Sequence, residues 1–339
     1  MNERYKEIAK YELEFWSLIE SNFDCRLEGM STSASSFLNG PITFHARFPT
    51  KNSYLINTPY LYDTSKKLIH FTSIPVLFSI INEGAVRLYN LHNSNDNTEY
   101  SYASNKLTEI YKIQNINEES ISDYINRIKD WSFILSCTNH DGLNKLDFWK
   151  EYGDSGKGIA IEFEIINNVT EWEFFYCSEI RYEKLDSFDN LVSKWKDIQN
   201  KYNHINYHIR LNQFLSLHKS ADWSKEAEIR ILTNYPDLHE IPFRERIFRD
   251  FKIKKPDLEI KYFSLPLCDR EGKFVDKRLE ERVELFWKII PRIRISDIHY
   301  GPSFPINEKL WKFHNELSLY IFEKLKCSLP QITKNRIRL

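Results

Sequence analysis

The sequence predicts an α+β fold, and three observations carry that reading. Runs with strand character recur between helices of unequal length, without the regular strand–helix–strand alternation of a doubly wound sheet. Two of these runs are strong: GIAIEFE at Gly158 to Glu164, and EAEIRIL at Glu226 to Leu232, which alternates charged and apolar residues. Finally, 42% of the 339 residues are hydrophobic and 15% aromatic, enough to fill one large domain or two small ones.

The elements follow in chain order. Residues 4–20 read as an amphipathic helix, with Tyr5, Ile8, Tyr11, Phe15 and Leu18 at three- and four-residue spacings. The stretch 30–41, MSTSASSFLNGP, reads as a loop or linker. Residues 1–60 therefore read as a helical extension and linker packed on a single domain spanning 61–339. Lys67 to Phe71 predicts a strand. Ile74 to Glu83 predicts a helix, capped by Ser73, with Pro75 in its first turn and Gly84 as its stop. A strand at Val86 to Tyr89 leads into a polar loop over 90–100. Helices are expected at 104–113 and 118–130, a strand at 132–138 and a short helix at 144–152. After Gly158 to Glu164, a neighbouring strand is expected at Glu173 to Tyr182 and a long helix over 185–219. Strands at 226–232, 258–263 and 293–300 and a closing helix at 307–326 complete the pattern.

Charge and cysteine usage exclude several classes. The formal net charge is −1 and the sequence pI is near 6.8, so no global basic field supports non-specific nucleic-acid binding. The five cysteines are scattered, without a CxxC pair, which indicates neither a disulfide scaffold nor a zinc site. No secretory leader and no run of about 18 uncharged apolar residues is present, so the expected compartment is a reducing cytoplasm, with no membrane partner.

Familiar chemistries are also set aside. Gly153 to Gly158, GDSGKG, lacks the hydroxyl residue after Lys157 and leads into a strand, so it reads as a tight turn rather than a phosphate loop. His204 and His208 have helical spacing without an acid in a ligand pattern, and read as a solvated face. Three clusters remain. His70-Phe71-Thr72-Ser73 offers a ring donor and two hydroxyls at a strand end, or a backbone-bonded His beside a helix cap. Ser136 and Thr138 share one face of their strand, opposite Cys137, and either line a polar pocket or end a strand in the ordinary way. Glu226, Glu228 and Arg230 share a strand face, which suits either a tuned carboxylate or a solvated ion pair.

As an ordered set these clusters resemble the bacterial domain-of-unknown-function family 2971 (DUF2971). The matching elements are His70–Ser73, Arg87-Leu88, Asn95-Asp96, Ser136–Thr138, Trp149 with Tyr152, Gly158–Phe163, Trp223–Arg230 and Ile298–Pro302, so the resemblance spans roughly 67–303. Ile229 stands where the family usually has an aromatic residue, and Asn97 where a Pro is common. That family is itself similar to the ADP-ribosyltransferase superfamily, whose signature is a first-strand His or Arg, a second-strand Tyr or Ser-x-Ser, and a late-strand Glu. Here His70, Ser136–Thr138 and Glu226–Glu228 occur in that order.

The resemblance implies a split antiparallel or mixed sheet flanked by helices. It also implies an enzyme that consumes NAD without a metal, either transferring ADP-ribose to a protein or nucleic-acid acceptor or hydrolysing NAD. A toxin or phage-defence role would fit. Cleavage of the nicotinamide–ribose bond builds positive charge on the ribose, so Glu228 would hold the ribose 2′-hydroxyl and Glu226 would orient the acceptor. His70 would hold a ribose hydroxyl, Thr72 the nicotinamide amide, and Ser136 would support Glu228 or the amide. Arg230, next in line, would also contact the NAD, and Tyr152, Trp149 or Tyr100 would stack on nicotinamide. Asn95 and Asp96 would shape the rim. The competing readings are a ligand-sensing module without turnover and an interaction protein that keeps only the fold.

Overall fold

The computed structural model describes residues 3–26, 28–30, 42–93, 108–109, 112, 118–182, 186–202, 205–210, 212–234, 250–255, 258–277, 290–304 and 308–330. Helix α1 spans Glu3–Phe23. Strands β1 (Glu28–Met30) and β2 (Ile42–Arg47) follow, then β3 (Lys67–Thr72), α2 (Ile74–Glu83) and β4 (Ala85–Asn90). Next come α3 (Glu118–Trp131), β5 (Ser132–Thr138), a 3₁₀ turn at His140–Asn144 and α4 (Leu146–Glu151). Then β6 (Ile159–Ile165), β7 (Phe175–Glu179), α5 (Asp186–Lys201), β8 (Ile205–Arg210) and α6 (Asn212–Leu215). The chain continues with β9 (Glu228–Asn234), β10 (Asp250–Lys255), β11 (Leu258–Pro266), β12 (Ile293–Tyr300) and α7 (Glu308–Leu325). None of the helices described is long and apolar enough to cross a membrane.

Most expected elements stand, and the differences have local causes. The long helix expected over 185–219 is broken: α5 ends at Lys201 and β8 follows. Ile205, Tyr207 and Ile209 alternate at the strand period, and β8 pairs in parallel with β2. His208 therefore sits in a strand, and His204 lies outside the described residues. Strand β9 starts at Glu228 because a 3₁₀ turn, Ala221–Glu226, and a left-handed Ala227 (φ 43°) precede it. Ser73 occupies the helix N-cap without a side-chain capping bond, while Pro75 and the left-handed Gly84 act as expected. Residues 31–41, Asn95, Asp96, Tyr100 and nearly all of the helix expected at 104–113 lie outside the described residues.

Among the described residues, nine strands form one sheet in which each neighbouring pair runs antiparallel. Its central strand is β5. One edge of β5 pairs along its full length with β9, from Ser132↔Asn234 to Thr138↔Glu228. The other edge is divided: β4 takes Phe133 and Ile134, and β3 takes Thr138 through a single bridge to Ile69. The sheet forks there. Strands β10, β11, β4, β5, β9 and β7 lie on one side of the fork, and β3, β6 and β12 on the other.

Strand alternation gives the sheet two different faces. One carries Leu68, Leu135, Cys137, Ile161, Phe163, Ile229 and Ile231, packed beneath Leu77, Ile80 and Ile81 of α2 and Leu317 and Ile321 of α7. The opposite face carries two apolar clusters. Ile134, Tyr176 and Leu232 meet α1 and α5, where Phe15 and Trp195 pack edge-to-face at 5.3 Å. Ile69, Phe71 and Ala160 meet Phe148 and Trp149 of α4. Residues 1–60 thus contribute Tyr11, Phe15, Leu18 and Phe48 to a core that the sheet shares.

Candidate functional site

Between those two apolar clusters the same face carries charge. Thr138 lies across from Glu228, and Ser136 across from Arg230, so the four side chains share a side of the sheet. Arg230 grips Glu228 with both arms, Nε to Oε1 at 2.7 Å and Nη2 to Oε2 at 3.0 Å, and its Nη1 donates to the Ser216 carbonyl at 2.6 Å. Lys219 Nζ reaches Glu228 Oε2 and Glu226 Oε2, each at 2.8 Å. The second Glu226 oxygen accepts the Tyr152 hydroxyl. The backbone N–H of Glu228 donates to the Tyr182 hydroxyl at 2.9 Å.

Ala227 makes this geometry. On a regular strand, alternate carboxylates stand about 7 Å apart. The left-handed turn at Ala227 folds Glu226 back so that both acids meet one ammonium. Burial pushes the Glu228 carboxyl above its usual range, while Lys219 and Ser136 pull it down. Burial would depress Lys219, yet Glu228 and Glu226 outweigh it and its pKa is raised. Tyr152 is raised by burial and by Glu226.

His70 and Thr72 do not join this wall. Ile69 shares a side with Thr138, so its neighbour His70 points to the α2 face, where its ring lies 6.4 Å from that of Phe163. Thr72, two residues on, shares that face and is buried. This corrects the expectation that His70 and Thr72 hold the same NAD as Ser136 and Glu228. His70 meets the cluster only through backbone: its Nδ1–H donates to the Ser136 carbonyl at 2.9 Å, which leaves Nε2 as an acceptor. Burial lowers its pKa, partly offset by that bond, and favours the neutral ring. Trp149 is also not a free stacking surface. It is buried, its Nε1 donates to the Leu143 carbonyl at 2.9 Å, and its ring meets Phe71 edge-on.

A second polar cluster lies on the charged face, beyond Ile69. Glu162 of β6 lies across from Ile69. Its Oε1 accepts from Lys67 Nζ at 2.6 Å and from Ser296 Oγ at 2.9 Å. Its Oε2 faces His299 Nε2 at 3.6 Å and His140 Nε2 at 4.0 Å. Burial opposes ionisation of Glu162, but His299, Lys67 and Ser296 win and lower its pKa to about 2.

With both clusters in view, the chain can be compared with known proteins. Residues 148–231 match the family described as "Protein of unknown function (DUF2971)". The resemblance read from the motifs is thereby borne out over that segment. No curated protein and no solved structure matches the chain. The DUF2971 segment contains Trp149, Tyr152, Glu162, Lys219, Glu226, Glu228 and Arg230, whereas His70, Thr72, Ser136, His140 and His299 lie outside it.

Two glycines of the motifs have a packing role. A Cβ at Gly158 would stand 2.4 Å from the Thr72 carbonyl, and one at Gly301 would stand 2.2 Å from that of Gly156. Lys219, Glu162, His140 and His299 were not singled out by the sequence. The available signal was Glu162 itself, a carboxylate within the otherwise apolar run GIAIEF.

Proposed function

We propose that this chain is an NAD-consuming, ADP-ribosyltransferase-like enzyme whose reacting groups are gathered around Lys219. One observation supports it: Glu226 and Glu228 are held on a single ammonium, with Ser136 and Tyr152 beside them, at the fork of an antiparallel sheet. Glu226 is the more exposed acid, 15% against 6% for the Glu228 side chain. In the proposed reaction the ribose C1′–nitrogen bond breaks and its electron pair leaves with nicotinamide. The acceptor oxygen, from water or a macromolecule, then bonds C1′ and gives its proton to Glu226. Glu228, anchored by Arg230, faces the ribose as positive charge develops. His70 and Thr72, on the far face, take no part in this step.

A ligand-binding module without turnover is the second reading. The saturation of Glu228 by Arg230 and Lys219 favours it, because a carboxylate so engaged has little left to offer a ribose hydroxyl. Nicotinamide release from NAD by the purified protein tests both. The enzyme reading expects release, and a fall of about 10²-fold or more in Glu226→Gln with the melting temperature retained. NAD binding without release supports the second reading. If NAD neither binds nor raises the melting temperature, the enzyme reading fails.

A further inference from the structure

We propose that His140, Glu162 and His299 are the protein ligands of a divalent transition-metal site. The three come from separate elements: the turn after β5, the middle of β6 and the end of β12. Their ligand atoms all lie within 4.8 Å of one another. Two atoms bound to one tetrahedral zinc stand roughly 3.4 Å apart, given bond lengths near 2.1 Å. The Glu162 Oε2 separations of 3.6 Å to His299 and 4.0 Å to His140 approach that value. His140 is the exposed member, with 56% of its side chain open, so its motion closes the remaining gap.

Glu162 is prepared for the role. It is 3% exposed, and its Oε1 is held by Lys67 and Ser296 in the way outer partners orient a metal-binding carboxylate. That leaves Oε2 directed at both imidazoles. His299 Nε2 is buried, and its 3.6 Å approach to Oε2 is an electrostatic contact too long for an ordinary hydrogen bond. A metal ion would supply a closer partner. Two imidazoles and one carboxylate suit zinc, iron(II) or cobalt(II), and three protein ligands leave a position for water or a small anion.

The site is independent of the NAD reading. Glu162 and Glu228 stand in one row, Glu162–Ile69–Thr138–Glu228, three strand spacings or about 14 Å apart. A metal here does not reach the bond assigned to Glu226, so either idea can fail alone.

The test titrates the tag-free full chain, stripped with EDTA, with zinc chloride by calorimetry, and with cobalt(II) by visible absorption. The expected result is one equivalent of zinc, a raised melting temperature and cobalt bands of a low-coordinate site. His140→Ala and His299→Ala should each weaken zinc by more than roughly 100-fold, beyond what loss of an outer partner does. His140→Ala changes an exposed side chain, so its stripped form should melt with the stripped wild type. No stoichiometric zinc binding by the wild type, or wild-type affinity in both variants, overturns the proposal.

Discussion

At the scale of single residues, Lys219 decides the character of the charged face. It is 7% exposed and stands between two carboxylates. Lys219→Met keeps the stem and removes the charge, leaving Glu226 and Glu228 to face each other without it. Breaking a buried pair in this way costs about 3–5 kcal/mol. The sign with pH follows from linkage. Without Lys219 the already raised Glu228 rises further, and a folded-state pKa above the unfolded one gives stability that is lost as pH rises. The deficit of the variant should therefore be largest at pH 8 and narrow by pH 5, where a proton stands in for the ammonium. Lys219 in the wild type is raised as well, so its own contribution holds below about 10.4. Urea denaturation of both proteins at the two pH values checks this, and an equal gap at both would refute it. The E-x-E-x-R motif was legible in the sequence. Lys219 was not, because a 3₁₀ turn and a left-handed Ala227 bring it to Glu228, and neither has a strong sequence signal.

At the scale of elements, helices and strands with local punctuation are legible in the sequence. Ser73, Pro75 and Gly84 bracket α2 within a dozen residues, and the structure has its helix there. Over 185–219 the helical first half masks the period-two pattern of β8, whose partner β2 lies far back in the chain. The fork was equally hidden, since it depends on which strands share the edge of β5. Two glycines give this scale a measurable contrast. A Cβ at Gly84 meets nothing closer than 3.7 Å, so Gly84→Ala costs only the left-handed backbone, about 1–2 kcal/mol. A Cβ at Gly158 would lie 2.4 Å from the Thr72 carbonyl and 2.8 Å from that of Gly153, where backbone must move. Gly158→Ala should cost about 3 kcal/mol or more and loosen β3 against β6. Thermal melts of the two variants rank them, and equal losses would contradict the close packing of β3 on the 153–158 turn.

At the scale of the molecule, the sheet is the shared wall of cores on its two faces. Leu135 and Ile231 belong to the core under α2 and α7, and their neighbours Ile134 and Leu232 to the core under α1 and α5. Opening one core therefore disturbs strands that the other needs, and the extension read over residues 1–60 is tied to the rest through β5 and β9. The cysteines report on this directly. All five are buried and outside any disulfide. Cys137, Cys177, Cys268 and Cys327 lie in the first core and Cys25 in the second. Burial pushes the Cys25 thiol up to about 12 and the Cys327 thiol to about 11, and it raises Cys137 and Cys177 as well. At pH 8 those four native thiols are thus both inaccessible and protonated, and Cys268 is fully buried. A disulfide reagent should label none of them rapidly in the native protein and five after denaturation. Across a urea series Cys25 should gain reactivity together with the other four, because the strands between the cores unfold as one unit. Early labelling of Cys25 alone would mean that α1 and its core open while the main sheet stays closed.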